Sequence, residues 1–404
     1  MQNIQDQFHN KYTALFAISK TLERTSYYGI RSMIVLFMIS EVMRVPEMEA
    51  INIYAWFTFS IVFSQIIGAV LGDLLIGNKK AIIIGGLIQA LGSFSFCIAS
   101  TNGLYIGLFL VTLGSGLYSP NMISMFGKLY LNKTKLLDAA FTIFHLAVNL
   151  GAFTGTLLVG YIADEFGWNA GFITSGILIL FSLVPVLFSK DSTPKLSIYN
   201  YVTNNQKIVN VIVTIVLVGL FWSIYEISYI RLFDLQTKLS EISASGLPKS
   251  IWASLESSIT LPISILAIFL WTYFYSSRFF KLILGFLLGS ISFGILFLIP
   301  ETPAEQHSIL YLISILLLGV SEIHISPIIQ SVLTKNTNPK YLAILISLAF
   351  IPSRLFSAVI GLSNGTLYEN PQFALLIALA SMTALTIGIF IFKKLNKNYL
   401  RHIV

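Results

Sequence analysis

Hydrophobic residues in this chain form long runs that short polar segments separate. Twelve of the runs reach about 20 residues, the length that an apolar helix needs to cross a bilayer. The pattern therefore predicts twelve membrane-spanning helices, called spans 1 to 12, and an even number places both chain ends on one side of the membrane. The spans lie near residues 12–40, 50–76, 80–100, 103–127, 138–163, 170–189, 207–234, 248–275, 279–299, 307–333, 341–363 and 372–393.

The composition agrees with an all-α integral membrane protein. Hydrophobic residues make up 55% of the 404 residues and charged residues only 11%, whereas soluble domains carry about 25% charged residues. Most lysines and arginines lie in segments that face the cytoplasm if both termini do; those in the opposite segments are Arg44, Arg231, Lys238 and Lys249. Because basic residues favour the cytoplasmic side, we expect cytoplasmic termini and a multi-pass protein of the cell (inner) membrane. The net charge of +7 then reflects basic loops and not a nucleic-acid partner.

The longest polar connection covers residues 190–206 and lies between spans 6 and 7. It divides the chain into two halves of six spans, a layout that resembles major facilitator transporters, whose substrate site lies near the membrane midplane between the halves. We therefore predict an N-terminal six-helix bundle over 1–189, a cytoplasmic linker over 190–206 and a C-terminal six-helix bundle over 207–404.

Span 1 contains four ionisable side chains inside an otherwise apolar helix, namely Lys20, Glu23, Arg24 and Arg31. Each would cost about 2.5–3.5 kcal/mol in bare lipid on insertion scales. The spacing places Lys20, Arg24, Tyr27 and Arg31 on one helical face, with Glu23 at its edge. A charged face at this depth needs a polar cavity, which indicates a transport pathway.

A second motif ends span 2 and begins the following loop. Gly68 and Gly72 are spaced for a close approach between helices, Asp73 follows them, and Gly77 precedes a pair of lysines. The glycine spacing alone is compatible with helix packing and nothing more. Together with twelve spans and a basic loop, it predicts a cytoplasmic gating hinge at Gly68, Asp73 and Gly77.

Several segments together resemble proton-dependent oligopeptide transporters, a family with the major facilitator fold. Residues 23–31 (ERTSYYGIR) resemble that family's Glu-Arg-Phe-x-Tyr-Tyr-Gly-x-Arg segment, and residues 144–152 (FHLAVNLGA) resemble its span 5 pattern. Residues 221–226 (FWSIYE) and 321–327 (SEIHISP) are similar to its span 7 and span 10 patterns. Each match is weak by itself, but with the span 2 motif they occur in the family's order, and the similarity extends over most of the chain.

The resemblance implies a role for each matching residue. Arg24 would lie near the carboxylate of a bound peptide and Glu322 near its amino terminus, because a zwitterion in a cavity of low dielectric constant needs a cation at one end and an anion at the other. The residues expected to bind substrate are Arg24, Tyr27, Asn149, Trp222, Glu256, Glu322 and Ser326. Those expected to couple proton movement are Glu23, Glu226 and Lys20, and those expected to close the extracellular side are Arg31 and Glu226.

Several positions depart from the family pattern, among them Ile227, where the family carries a glutamine, and the additional Arg354 of span 11. Lys20 stands where the family carries a glutamate, Ser119 stands where it carries a lysine before Pro-Asn, and Glu256 stands where an uncharged amide is favoured. In one interpretation the lysine has moved from span 4 to span 1; in the other the coupling arrangement is altered or lost. The charges inside the spans still balance, with Lys20, Arg24, Arg31 and Arg354 against Glu23, Glu226, Glu256 and Glu322.

The sequence therefore predicts a proton-coupled symporter that imports di- and tripeptides by alternating access and functions as a monomer in the lipid bilayer. We expect no metal, no cofactor and no enzymatic activity, because the chain has no metal-ligand cluster, nucleophile elbow or phosphate-binding glycine loop. Two alternatives stay open. One is a major facilitator transporter of a non-peptide or modified-peptide solute, including an exporter; the other is a substrate sensor on the same fold that does not transport.

Overall fold

The computed structural model describes residues 9–189, 205–242, 249–274, 277–352 and 366–395, and these residues are almost entirely helical. The predicted Arg354 and most of the predicted linker 190–206 lie outside the described residues. The helices are α1 (Thr13–Ile39), α2 (Glu47–Ile76), α3 (Asn78–Ser95), α4 (Thr101–Lys128), α5 (Thr134–Phe166), α6 (Trp168–Phe188), α7 (Asn205–Ile242), α8 (Lys249–Tyr273), α9 (Arg278–Phe297), α10 (His307–Asn336), α11 (Pro339–Ala349) and α12 (Pro371–Leu395), with a single turn Thr366–Glu369 before α12.

Within the described residues, eight helices are long and apolar enough to cross a membrane: α2, α4, α5, α6, α7, α9, α10 and α12. The prediction of an all-helical chain with membrane-spanning helices is therefore confirmed. The other four predicted spans contain α1, α3, α8 and α11, of which α1 is interrupted by charged side chains. The count of twelve spans and the side on which the termini lie stay predictions.

Helix α7 extends eight residues beyond the predicted end of span 7, to Ile242. Arg231 lies inside this helix and is only 1% exposed, although the sequence assigned it to an outer connection. Its guanidinium donates to the carbonyl oxygens of Ile299 and Pro300, each at 2.9 Å, and to the Asp234 carboxylate. Because these partners satisfy the charge inside the protein, the helix continues past the arginine.

Contacts between residues divide the chain into two units. The first contains Met1–Thr203 and Leu333–Leu348, and the second contains Asn204–Val332 and Ala349–Val404. The break at 203 falls within the predicted linker. Residues 333–348, which the predicted division assigns to the C-terminal bundle, are grouped with the first unit. The two six-helix bundles themselves stay a prediction.

The first unit is built around α1. Ile30 and Phe37 of α1 belong to one buried cluster with Val111 of α4 and Phe172 of α6, and the rings of Phe37 and Phe172 lie 5.0 Å apart. This apolar layer packs the C-terminal part of α1, which also carries Arg31. The polar face of α1 is thus bounded at one end by a tightly packed core.

In the second unit, small polar side chains join neighbouring helices. Ser321 of α10 donates to the carbonyl oxygen of Gly285 in α9 at 2.6 Å, and the hydroxyls of Ser292 and Ser314 lie 2.8 Å apart between the same helices. Such hydrogen bonds between helices are typical of membrane bundles, where small residues let backbones approach closely. They fix the orientation of α10, which carries Glu322.

Candidate functional site

Three charged side chains of α1 form one buried ion cluster in the first unit. Glu23 is fully buried, and both of its carboxylate oxygens accept hydrogen bonds from Arg24, each at 2.6 Å. The ammonium of Lys20 lies 3.0 Å from Oε2 of the same carboxylate. One anion thus stands between two cations, and removal of the Glu23 carboxylate would leave two buried cations uncompensated.

Ser119 of α4 completes this cluster. Its hydroxyl oxygen accepts a hydrogen bond from Nζ of Lys20 at 3.1 Å and from Nη2 of Arg24 at 2.8 Å. The Lys20 ammonium also lies 5.8 Å from the ring centroid of Tyr118 and 5.7 Å from that of Phe144. Two cations from α1 therefore contact position 119 of α4, where the resemblance described above implies a lysine.

Further along α1, tyrosine rings separate and surround two arginines. The guanidinium of Arg24 lies 4.6 Å from the ring centroid of Tyr27, and that of Arg31 lies 5.7 Å from the same ring. Arg31 also lies 5.7 Å from the ring of Tyr28, and its Nε donates to the hydroxyl of Tyr54 in α2 at 2.8 Å. Aromatic faces stabilise a cation that has few water molecules around it.

Tyr54 is a candidate functional residue that the sequence analysis missed. The sequence positions of the two residues could have indicated the contact. Arg31 lies eight residues before the end of α1, and Tyr54 lies seven residues after the start of α2. Two consecutive antiparallel helices bring such positions to the same depth. An aromatic hydroxyl at the depth of a buried arginine is a reasonable partner for it.

Asn149 lies on α5 and is half-buried, as is His145 one turn before it. The amide nitrogen of Asn149 and Nε2 of His145 are 3.0 Å apart. With the amide as donor, the histidine carries its proton on Nδ1. The predicted binding residue Asn149 is therefore held by a neighbour on its own helix, with its amide oxygen left as an acceptor for another donor.

In the second unit, predicted binding residues come from α7, α8 and α10. The Tyr225 hydroxyl of α7 donates to Oε1 of Glu256 in α8, and the ring of Trp222 lies 5.1 Å from that of Tyr225. Glu322 lies on α10, which packs against α8 where a Cβ atom on Gly319 would lie 2.8 Å from Cγ2 of Thr260. Ser326 follows Glu322 by one helical turn, and Glu226 lies on α7; all three are half-buried. The structure thus brings Trp222, Tyr225 and Glu256 together, with Glu322 on the neighbouring helix α10.

The predicted hinge residues lie at the end of α2, where its last turn, Leu71–Ile76, is a π-helix. Such turns are frequent at functional sites. Within this turn, Oδ1 of Asp73 accepts a hydrogen bond from Asn78 at 2.9 Å and lies 3.6 Å from the ammonium of Lys128. Its other oxygen accepts a hydrogen bond from the backbone N–H of Ile344 at 3.0 Å. Asp73 therefore joins α2, α3 and α4 to the beginning of α11.

Glycine is needed at the two hinge positions, 68 and 77, for different structural reasons. A Cβ atom on Gly68 would lie 2.2 Å from the carbonyl oxygen of Gly116, so any larger residue would force α2 away from α4. Gly77 adopts a φ of +86° with open space around it, so its constraint is the backbone conformation of the turn into α3. Both positions are intolerant of side chains, and the hinge role stays a proposal.

The described residues contain no group of three or more histidine, cysteine, aspartate or glutamate side chains arranged to hold a metal ion. The expectation of no metal and no cofactor stays a prediction for the whole chain. What the described residues do offer is recognition chemistry. The first unit presents arginines and tyrosines on α1, and the second presents carboxyl groups and aromatic rings on α7, α8 and α10.

Apolar helices that bury paired charges are typical of membrane transporters. A family model described as Major Facilitator Superfamily matches residues 16–362. The chain belongs to this superfamily. Its members and the structural relatives of this chain are membrane transporters and not enzymes, which confirms the prediction that the chain is not an enzyme.

Curated relatives are peptide transporters by name. Dipeptide and tripeptide permease A of Proteus mirabilis is 29% identical over 187 residues, which are 44% of this chain and 38% of the relative. Peptide transporter YePEPT of Yersinia enterocolitica is 33% identical over 174 residues, 41% of this chain and 34% of the relative. The matches therefore span about a third of the length of these relatives. The resemblance to peptide transporters that the motifs predicted is confirmed.

Solved structures extend the likeness over nearly the whole fold. A peptide transporter POT in complex with sulfate aligns with a TM-score of 0.70 at 21% identity, covering 96% of this chain and 95% of that one. A POT family transporter in complex with 5-aminolevulinic acid aligns with a TM-score of 0.68 at 20% identity, covering 94% and 96%. At this identity the comparison establishes the fold, which is that of the major facilitator transporters.

Proposed function

We propose that this chain is a proton-coupled symporter that imports di- and tripeptides across the cell (inner) membrane by alternating access, working as a monomer. The observation that carries the proposal is the ion cluster of α1, in which one fully buried carboxylate, that of Glu23, is shared by Lys20 and Arg24. A buried cluster of this kind is costly in a helix that only has to be stable. The names of the curated relatives support the same substrate class.

The two ends of the peptide would bind different residues. The guanidinium of Arg24 binds the substrate carboxylate, with Tyr27 and Asn149 beside it. The carboxyl group of Glu322 binds the substrate amino group, with Ser326, Trp222 and Glu256 around it. Each charged end of the zwitterion loses its water on binding, so each needs a partner of opposite charge that also offers hydrogen bonds.

Coupling between proton and substrate would follow because Glu23 and the substrate carboxylate compete for Arg24. Arg24 currently gives two hydrogen bonds to Glu23, and a substrate carboxylate would draw the guanidinium toward itself. Glu23 would then keep only Lys20 as a counter-charge, and a carboxylate that loses a cationic partner binds a proton more readily. Substrate and proton therefore favour each other's binding, and by linkage the effect is reciprocal.

The remaining predicted residues would control access to the site. Arg31 and Glu226 are proposed to close the extracellular side, with Tyr54 holding Arg31 in place when that pair is open. Asp73, Gly68 and Gly77 are proposed to control the cytoplasmic side through the contact with α11. Each ligand shifts the equilibrium between the two states by the difference in its affinity for them.

Uptake in proteoliposomes tests the function. With an inward proton gradient we expect accumulation of radiolabelled dialanine that a protonophore abolishes. The Glu23→Gln variant should still exchange dialanine across the membrane but should lose accumulation against its gradient. If wild-type protein takes up no dialanine, the peptide assignment is wrong; if Glu23→Gln and Glu226→Gln both still accumulate it, neither glutamate couples.

One observation favours a second candidate. The cluster of Lys20, Glu23 and Arg24 carries one more positive than negative charge, and Ser119 accepts hydrogen bonds from both cations. An extra cation in a binding cavity suits a solute with an additional negative group, such as a modified peptide or an organic anion. A thermal-shift panel distinguishes the two, because stabilisation by anions without any response to dipeptides would favour the second candidate. Stabilisation by peptides without transport in liposomes would favour a sensor.

A further inference from the structure

Two carboxyl groups of the second unit lie on neighbouring helices, Glu256 on α8 and Glu322 on α10. These helices pack closely near both residues, since a Cβ atom on Gly319 of α10 would lie 2.8 Å from Cγ2 of Thr260 in α8. Both residues are half-buried. The Tyr225 hydroxyl donates a hydrogen bond to Oε1 of Glu256, and this contact leaves the other oxygen of the carboxyl group as an acceptor. Two carboxylates that interact in a medium of low dielectric constant repel each other, and a cation between them removes the repulsion.

Aromatic rings adjoin these carboxyl groups. Trp222 and Tyr225 of α7 lie 5.1 Å apart by ring centroid, and the ring of Trp252 lies 6.2 Å from that of Tyr311 in α10. Trp252 precedes Glu256 by one turn of α8, so the two residues share a helical face. Aromatic faces next to carboxylates form the surroundings in which organic ammonium groups are recognised.

An independent observation comes from the indole of Trp252. This side chain is 5% exposed, and its Nε1–H has no hydrogen-bond partner among the described residues. A buried donor without an acceptor costs free energy, so the position is suited to a ligand that brings an acceptor. A carbonyl oxygen close to an ammonium group would satisfy the indole and the carboxyl groups together.

We propose that Glu256, the Trp252 indole and the rings around them form a second cation pocket that selects peptides with a positively charged side chain. The inference rests on the proposed peptide transport and adds the substrate class to it. Glu322 takes the α-amino group, Glu256 takes the side-chain ammonium of an N-terminal lysine, and the Trp252 N–H takes a carbonyl oxygen of the peptide. A dipeptide with one ammonium leaves Glu256 without its counter-charge.

The test compares two dipeptides that differ only in this ammonium. Norleucine has the carbon chain of lysine without the charged group, so Lys-Ala and Nle-Ala isolate its effect. Binding is measured by calorimetry on the purified protein in nanodiscs. For a charge-assisted contact beside aromatic rings we expect Lys-Ala to bind about tenfold more tightly than Nle-Ala. The Glu256→Gln variant should bring the ratio of the two affinities close to one.

A matched control and a second variant accompany the test. Glu301→Gln removes a carboxylate from an exposed loop of the same unit and should keep the tenfold ratio. Trp252→Phe keeps a ring but removes the N–H, and should weaken both dipeptides by a similar factor without changing their ratio. This variant tests the carbonyl contact even if Glu256→Gln does not fold.

The outcomes separate this inference from the proposed function. Equal affinity of wild-type protein for Lys-Ala and Nle-Ala would overturn the pocket and leave peptide binding intact. Binding of cadaverine that Glu256→Gln abolishes, with no binding of either dipeptide, would keep the cation pocket and overturn the peptide substrate. A tenfold ratio that persists in Glu256→Gln would assign the preference to another residue and overturn the role of Glu256.

Discussion

The carboxylate of Asp73 in α2 accepts a hydrogen bond from the backbone N–H of Ile344, 271 residues further along the chain. Ile344 is the third residue of Leu342–Ala349, the α-helical part of α11, and the first four backbone N–H groups of an α-helix have no partner within the helix. The carboxylate supplies the acceptor that a side chain of the helix's own N-cap would otherwise provide, and its charge suits the positive end of the helix dipole. Asp73 thereby caps a helix that is distant in sequence.

Loss of this cap should destabilise α11 locally. For Asp73→Ala we expect a loss of about 0.5–2 kcal/mol, the usual range for a helix cap, and faster hydrogen exchange at the first amides of α11. Asp73→Asn keeps an acceptor but removes the charge, so its effect should be smaller. Hydrogen exchange with mass spectrometry measures both. Asp164→Asn, at an exposed position of α5, is the control, and unchanged exchange in α11 of Asp73→Ala would contradict the cap.

Sequence patterns predicted the charged face of α1 because ionisable residues inside an apolar run need polar partners. They did not predict Tyr54, because a hydroxyl that binds Arg31 looks the same in sequence as a tyrosine that packs. Nor did they predict that Lys281, among the basic residues expected on the cytoplasmic side, would be buried: it is 2% exposed, and its ammonium lies 4.5 Å from the ring centroid of Trp271. Burial near a helix end depends on neighbours from other helices. For the same reason, the grouping of 333–348 with the first unit had no sequence signal.

A charge swap tests whether Lys20 replaces a lysine of α4. Ser119→Lys alone should reduce dialanine uptake strongly, because three cations would then crowd Glu23. Lys20→Glu alone should also reduce it, because two carboxylates would compete for Arg24. In the Lys20→Glu/Ser119→Lys double variant each carboxylate regains a cation, so uptake should exceed the product of the two single effects. Contacting residues show such non-additivity.

The measurement is initial uptake rate in proteoliposomes, corrected for the amount of folded transporter. Lys11→Glu, which reverses a charge at an exposed position before α1, serves as the control when combined with Ser119→Lys and should give no rescue. Strictly multiplicative effects in the Lys20→Glu/Ser119→Lys variant would show that the two positions do not share a role. The interpretation of an altered coupling arrangement would then be preferred.

His9, just before the first residue of α1, makes the stability of the folded protein depend on pH. Its Nδ1 lies 2.9 Å from the hydroxyl of the buried Tyr130. Burial, with a smaller contribution from Lys133, lowers the pKa of His9 below its ordinary value of 6.5. The folded protein therefore holds its proton on His9 less tightly than the unfolded chain does. The contribution of neutral His9 to stability is complete above about pH 6.5 and decreases as the pH falls toward the lowered pKa.

We expect the apparent melting temperature of wild-type protein to decrease more steeply below about pH 6.5 than that of His9→Gln. Glutamine keeps an acceptor for the Tyr130 hydroxyl but does not titrate. Differential scanning fluorimetry at a series of pH values measures the difference. His307→Gln, in the first turn of α10, is the matched control. Parallel curves for wild-type protein and His9→Gln would show that His9 does not contribute to the acid sensitivity.

Two buried amides of the first unit should respond in opposite ways to the same substitution. Gln89 of α3 is fully buried, and neither Nε2 nor Oε1 has a hydrogen-bond partner among the described residues. Asn121 of α4 is equally buried, but its Nδ2 donates to the carbonyl oxygens of Gly68 and Leu117, each at 2.8 Å. Its Oδ1 also accepts a hydrogen bond from Asn78 at 2.7 Å.

Gln89→Leu removes two polar atoms whose burial costs about 1–3 kcal/mol when they are unpaired, so it should raise the apparent melting temperature. Asn121→Leu should lower it, because the Asn78 amide would lose its acceptor and the two carbonyl oxygens their donor. Both variants are compared with wild-type protein by thermal unfolding in the same detergent. A decrease for Gln89→Leu similar to that for Asn121→Leu would show that the Gln89 amide is hydrogen-bonded in the folded protein. An increase for Gln89→Leu alone would establish that its amide opposes folding.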